Sequence, residues 1–230
     1  MKEKILIYGD SIMRGVTYCS ERRRHTLCQG HNLPKLSELG FEVKNFSRMG
    51  ATVDYGLDIT EKTIAECDKN THVILEYGGN DCDYNWADIS SSPLTPHLPR
   101  TVECEFEKKY KILINKLRRA SHDVRLATLI PVDSEKYIKW ITKNNSYDNI
   151  IGWLGDVSML HRWQERYNRI IERIAKEEGL HLLDLREDFL LAHDYKELIS
   201  EDGIHPSDKG HELIERSICR AMLSQSVVPA

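Results

Sequence analysis

Four short polar stretches carry residue types that do chemistry only in company. Gly9-Asp10-Ser11 closes the first apolar run, and Asn45-Phe46-Ser47-Arg48-Met49-Gly50 closes the second. Gly78-Gly79-Asn80-Asp81 closes the third, and Asp202-Gly203-Ile204-His205-Pro206 lies near the end of the chain. A serine hydroxyl is a weak nucleophile until a neighbouring base takes its proton, and an imidazole base needs a carboxylate to set its tautomer. His205 can be that base for Ser11. Asp202, three residues earlier, can be its carboxylate partner, with Pro206 stiffening the turn at its far end. Acyl transfer also creates an oxyanion that needs fixed donors. The candidates are the backbone N–H of Ser11, the backbone N–H of Gly50 and the side-chain amide of Asn80. Loss of one such donor costs roughly 10²–10³ in rate, and a glycine at position 50 allows close backbone approach.

Each stretch taken alone has an ordinary reading. Gly-Asp-Ser is a helix-capping turn, Gly-Gly-Asn-Asp is a common turn composition, and Asp-x-x-His recurs by chance. The argument for a site is their joint occurrence in the order Ser, Asp, His, at places where a fold would bring them together.

The elements that must position them follow from periodicity. Apolar runs at 4–9, 41–47, 72–79, 124–130 and 180–185 read as strands, and continuous runs such as Ile5-Leu6-Ile7 suit strands covered on both faces. Between them, apolar residues at spacings of three and four over 103–121 and 157–178 predict helices with buried stripes. A last helix is predicted from about Ser207, which follows Pro206 as an N-cap. Strands alternating with helices predict an α/β sandwich built on a mostly parallel sheet. Ligands bind such sheets beyond the carboxyl ends of the strands, where the first three stretches sit. The fourth follows the fifth strand and a further helical segment. Two connections, 82–102 and 132–156, are too long for simple turns, and long irregular loops serve function or move. They are expected on the substrate side. Their Trp86, Trp140 and Trp153 either stack on a sugar ring, line an acyl groove or anchor the loops to the core.

Composition narrows the function classes. The chain has 230 residues and is read as a single domain over 1–230. A net charge of −4 gives no general reason to bind nucleic acid. The run Arg22-Arg23-Arg24 reads as a solvated loop or helix face, with anion steering near the site as the sharper alternative. No apolar stretch suggests membrane insertion, and Met1 to Gly9 contains nothing like a signal peptide, so a cytoplasmic location is expected. Six scattered cysteines without a Cys-x-x-Cys pair suggest reduced thiols. His205 and His211 lie near Asp202 and Glu212 but have no metal-ligand spacing, so no metal or cofactor is expected.

With these motifs in place, the sequence resembles the SGNH (GDSL) hydrolase family. The first motif is Gly9-Asp10-Ser11, the second Asn45-x-Ser47-x-x-Gly50, the third Gly78-Gly79-Asn80-Asp81 and the last Asp202-Gly203-Ile204-His205. The resemblance implies a three-layer α/β/α sandwich with a five-stranded parallel sheet of flavodoxin-like type. It implies metal-independent hydrolysis of esters or thioesters through an acyl-enzyme, with Ser11 as nucleophile, His205 as base and Asp202 as its orienter. Gly50 and Asn80 would complete an oxyanion hole with the Ser11 amide. Asp10 would order the turn around Ser11, and Asp81 the turn carrying Asn80, neither being catalytic. Ser11 would also cap the following helix through its backbone. The expected substrate is a small or carbohydrate-linked acyl ester. Longer acyl chains, as for a lipase or thioesterase, are the alternative, and a catalytically silent binding module a further one. Oligomeric state is not legible.

Overall fold

The computed structural model describes residues 2–224. In chain order the strands are β1 (Lys4–Gly9), β2 (Val16–Cys19), β3 (Arg24–Leu27), β4 (Glu42–Asn45), β5 (Thr71–Glu76), β6 (Asp123–Ala127) and β7 (His181–Leu183). The helices are α1 (Ser11–Arg14), α2 (Pro34–Glu38), α3 (Val53–Thr63), α4 (Trp86–Ser91), α5 (Glu103–Ala120) and α6 (Ser134–Ile141). They continue with α7 (Tyr147–Leu154), α8 (Met159–Glu178), α9 (Leu185–Leu190), α10 (Tyr195–Leu198) and α11 (Asp208–Leu223). Five strands form one parallel sheet in the order β4-β1-β5-β6-β7. This is the flavodoxin-like order, whose switch point lies between β1 and β5.

The layers follow from the two-residue period of a strand. Along β1, Leu6 and Tyr8 face a core completed by Leu113, Tyr167 and Ile171 from α5 and α8. Ile5 and Ile7 face the opposite core, completed by Phe189 of α9 and by Ile214 and Ile218 of α11. β1 is therefore apolar on both faces and is covered on both, which makes the fold a three-layer α/β/α sandwich. Ser207 caps α11 as expected, accepting from the Gly210 N–H at 3.3 Å.

Three local expectations change. The helix after β1 is a single turn, and its cap is Asp10, whose carboxylate accepts the Ile12 N–H at 2.8 Å, while Ser11 is its first residue. The 82–102 and 132–156 connections contain α4, α6 and α7. These pack into a third apolar cluster with Tyr84, Tyr137, Ile150 and Leu154, so most of their apolar side chains are core to an excursion over the sheet edge. Arg24, with Arg22 and Arg23 in the turn before it, belongs to an antiparallel hairpin of β2 and β3. The alternation of that hairpin is masked by charged residues, and Arg23 takes a left-handed conformation (φ 50°) at its turn.

The turn before α11 is seated by a close approach. Ile199 and Pro206 pair as an antiparallel bridge, and the Asp133 N–H donates to the Gly203 carbonyl at 2.9 Å. Gly203 has φ +81°, and a Cβ there would lie 2.3 Å from the Tyr137 nitrogen at the start of α6. Backbone on both sides leaves no room to yield. The Gly203→Ala change is expected to destabilise the fold by about 2–4 kcal/mol. Denaturant unfolding checks this, and a loss within about 0.5 kcal/mol of zero would refute the account of the turn.

Candidate active site

The four polar stretches meet at the carboxyl edge of the sheet. Ser11 follows β1 directly. His205 Nε2 lies 2.9 Å from Ser11 Oγ, and His205 Nδ1 lies 2.6 Å from Asp202 Oδ2. Burial pushes the Asp202 carboxyl up, but hydrogen bonds and attraction from His205 and donation from backbone N–H groups outweigh it, leaving it below the usual range. An ionised Asp202 can accept only from an Nδ1–H, so Nε2 of a neutral His205 is left to accept the Ser11 hydroxyl proton. Such a chain lets an imidazole take the proton as the serine oxygen attacks a carbonyl carbon. Ser11, His205 and Asp202 are all buried beneath the cavity they line or support.

Asp202 is held by more than His205. Its Oδ1 accepts the Ile204 and His205 N–H groups at 3.1 and 3.0 Å, and its Oδ2 accepts from His25 Nε2 at 3.0 Å. His25 comes from β3, and its ring lies edge-on to His205 with centroids 4.8 Å apart. Sequence reasoning missed His25 altogether. A lone histidine among arginines has no motif, and the hairpin that delivers it was itself not legible. Thr17 bonds Ser200 at 3.0 Å and His211 Nε2 donates to the Val16 carbonyl at 2.9 Å, which pins the hairpin to the turn carrying Asp202. Burial lowers His211 to about 4, so it stays neutral and structural.

The second network sits under the other side of Ser11. Asp10 Oδ2 accepts from the Asn80 side-chain amide at 3.0 Å, which fixes that amide while leaving its second N–H unspent. Behind Asp10 lies Glu76. Its Oε2 accepts the Asp10 N–H at 3.5 Å. Burial first, then the Asp10 charge, push Glu76 well above the usual carboxylate range, and burial raises Asp10 as well, so of the two Glu76 is the carboxyl that favours the proton. Asp81 is fully buried and accepts the Val53 N–H at 3.2 Å, which fastens the start of α3 and the loop containing Gly50 to the loop containing Asn80. Burial raises Asp81 to about 6. Asn45 donates to the Met13 carbonyl at 2.7 Å and accepts the Ser47 N–H, locking the second stretch to α1. Gly50 has φ +75° and lines the same cavity as Ser11 and Asn80. Cys82 is buried and burial pushes its thiol up, which makes it inert.

The cavity above Ser11 has a volume of about 1120 Å³. Trp86 and Trp140 line it, whereas Trp153 packs on Tyr84 and His97 outside its lining. Trp140 lies edge-on to Tyr18 at 4.6 Å, so it also braces the hairpin. Trp163, read from sequence as part of a buried helical stripe, lines the cavity too, with a buried indole N–H that has no protein partner. His25, Asp202 and His205 are the one group among the described residues with three potential metal-ligand atoms close together. Their contacts are accounted for as hydrogen bonds to one carboxylate. Among the described residues no helix is long and apolar enough to cross a membrane.

Known proteins resemble this chain in sequence and in fold. The model of the GDSL-like Lipase/Acylhydrolase family matches residues 7–213. A GDSL esterase/lipase, CPRD49 of Arabidopsis thaliana, is 29% identical over 150 residues, 65% of this chain, and the chain spans about half (53%) of that protein's length. Among solved structures, the lipase/acylhydrolase from Enterococcus faecalis superposes with a TM-score of 0.68 at 17% identity, covering 97% of this chain and 96% of that one. Axe2, an acetylxylan esterase from Geobacillus stearothermophilus, gives 0.61 at 21%, covering 95% and 93%. At these identities the structural likenesses establish the fold.

A protonated Glu76 makes a specific prediction. A raised pKa contributes stability below the unfolded value and loses it as pH rises through the folded one. Glu76→Gln mimics the neutral acid, so it should keep stability within about 1 kcal/mol at neutral pH and remove the Glu76 share of the alkaline loss. Glu76→Ala leaves Asp10 without that partner and should cost about 2 kcal/mol or more. Thermal melts across pH check this, and equal losses for the two variants would show that Glu76 is ionised.

Proposed function

Because the chain belongs to the GDSL-like lipase/acylhydrolase family, we propose that it is a serine ester hydrolase acting through an acyl-enzyme. The observation that carries this reading is the unbroken hydrogen-bonded line from Ser11 through His205 to Asp202 beneath an open cavity. In this mechanism Ser11 Oγ attacks the ester carbonyl carbon while its proton passes to His205 Nε2. The Ser11 and Gly50 N–H groups and the free N–H of Asn80 receive the negative charge on the carbonyl oxygen. His205 then returns the proton to the departing alcohol, and water repeats the sequence to release the acid. Asp10, Glu76 and Asp81 position these groups.

The substrate we propose is a small or carbohydrate-linked acyl ester, in line with the acetylxylan esterase activity named for one structural relative. One observation favours a second reading with longer acyl chains. Leu129, Ile130, Leu160 and Trp163 line the part of the cavity beyond β6, enough apolar wall for more than an acetyl group. The Ser11→Ala protein, compared with the native one on p-nitrophenyl esters from acetate to octanoate, decides the matter. Turnover should fall by at least about 10³-fold in the variant; an unchanged rate would falsify the serine mechanism. An acetate optimum supports the first substrate reading, and a rate rising with chain length the second.

We also assign His25 as a positioning residue for Asp202. His25→Phe removes the donor and is expected to lower kcat about tenfold with KM little changed, and to displace the acid limb of the pH–rate profile. His25→Gln, which can still donate an N–H, should recover most of the rate. Equal rates for the two variants, with unshifted pH profiles, would leave His25 a packing residue.

A further inference from the structure

A second cavity, of about 550 Å³, opens on the β4 side of the hairpin and shares His25 and Met49 with the one above Ser11. Arg14 and Arg48 both line the second cavity, both are exposed, and neither is in an ion pair among the described residues. Several arginines on the outer helices, such as Arg118, Arg162, Arg173 and Arg220, are by contrast matched to acids. The exposed Arg22, Arg23 and Arg24 on the adjacent hairpin add to the same sign of field.

The site is also built. The Arg48 guanidinium stacks 4.0 Å above the Tyr55 ring, and Tyr55 is itself fixed by donating to the Phe46 carbonyl at 3.2 Å. The Arg48 backbone N–H donates to the Gly9 carbonyl at 3.1 Å, so the residue is anchored to the end of β1. A guanidinium stacked by its face keeps its in-plane N–H donors free for a two-point grip on an oxyanion. Ser47, between Arg48 and Phe46, has a buried hydroxyl with no protein partner and lines the same cavity. Buried hydroxyls are seldom left unpaired. Arg14 lies three residues after Ser11 on α1, about 4.5 Å along the helix axis.

The sheet order assigns a direction to this subsite. β1 stands between β4 and β5, so the Arg14–Arg48 cavity and the apolar wall beyond β6 lie on opposite sides of Ser11. An ester carbonyl at Ser11 has two substituents, and the apolar one belongs toward β6. We propose that Arg14, Arg48 and Ser47 form a subsite for an anionic group, a carboxylate, phosphate or sulfate, on the alcohol portion of the ester. The proposal rests on the reading of Ser11 as the point of acyl transfer. It makes the substrate an acyl ester of an acidic alcohol such as a uronic acid or a sugar phosphate.

The test compares O-acetylated methyl glucoside, glucuronate and glucose 6-phosphate as substrates at low and high salt. At low salt kcat/KM should be about tenfold or more higher for an anionic ester than for the neutral one. The ratio should collapse in the double variant Arg14→Gln, Arg48→Gln and shrink in high salt. Arg119→Gln, far from the site, serves as the control and should leave the ratio unmoved. Which anionic ester gains separates a carboxylate from a phosphate ligand. Calorimetry of glucuronate and inorganic phosphate binding to the Ser11→Ala protein, with and without the two arginine changes, reads the subsite independently of turnover. A ratio near one in the native protein together with no binding, or a preference that survives the double variant, would overturn the subsite. Persistent turnover in Ser11→Ala would instead overturn the acyl-transfer reading alone.

Discussion

An ionised carboxylate with no solvent contact must find all its donors inside the protein, and Asp202 collects them from separate places. Two backbone N–H groups come from its own turn, one imidazole from the same turn and a second from the β2–β3 hairpin. Removing any one leaves a buried charge short of a partner, which is costly. The hairpin and the 199–206 turn are therefore tied to a single anion. The geometry at Ser11 depends on that anion staying charged.

A complementary arrangement lies on the other side of Ser11. Asp10 and Glu76 are buried next to each other, and two ionised carboxylates there would repel in a medium that screens poorly. A proton held on Glu76 would resolve the conflict and leave Asp10 as the acceptor. Asp10 can then cap α1 with one oxygen and orient Asn80 with the other. The proposed nucleophile and one proposed oxyanion donor thus share a support, so their relative position does not rely on loop stiffness.

The two cavities extend the same logic to substrate. Strand order places an apolar wall and an arginine-lined recess on opposite sides of one serine. The excursion formed by α4, α6 and α7 deepens the apolar side, because its side chains pack into a core of their own and hold Trp86 and Tyr137 at the cavity wall. In the proposed reaction such a wall would constrain acyl length, and the recess would constrain charge.

The sequence by itself determined what depends on local pattern. Ile5-Leu6-Ile7 and Val73-Ile74-Leu75 could be strands of a sheet covered on both faces, and the helical stripes of α5, α8 and α11 could face only that sheet. Parallel strands ending on one edge then required Ser11, Gly50 and Asn80 to gather there, and the Asp-x-x-His spacing allowed Asp202 to reach His205 within one turn. What the tertiary structure decided depends on contacts between residues far apart in the chain. His25 meets Asp202 across 177 residues, and neither carries a sign of the other. Glu76 looks like the polar end of an apolar strand until β1 sets Asp10 beside it. Trp163 and Trp153 have the same chemistry, yet one lines the cavity and the other does not, because the packing of α7 and α8 fixes which ring faces inward. Periodicity records which face of an element is buried; only the packed chain determines what that face is buried against.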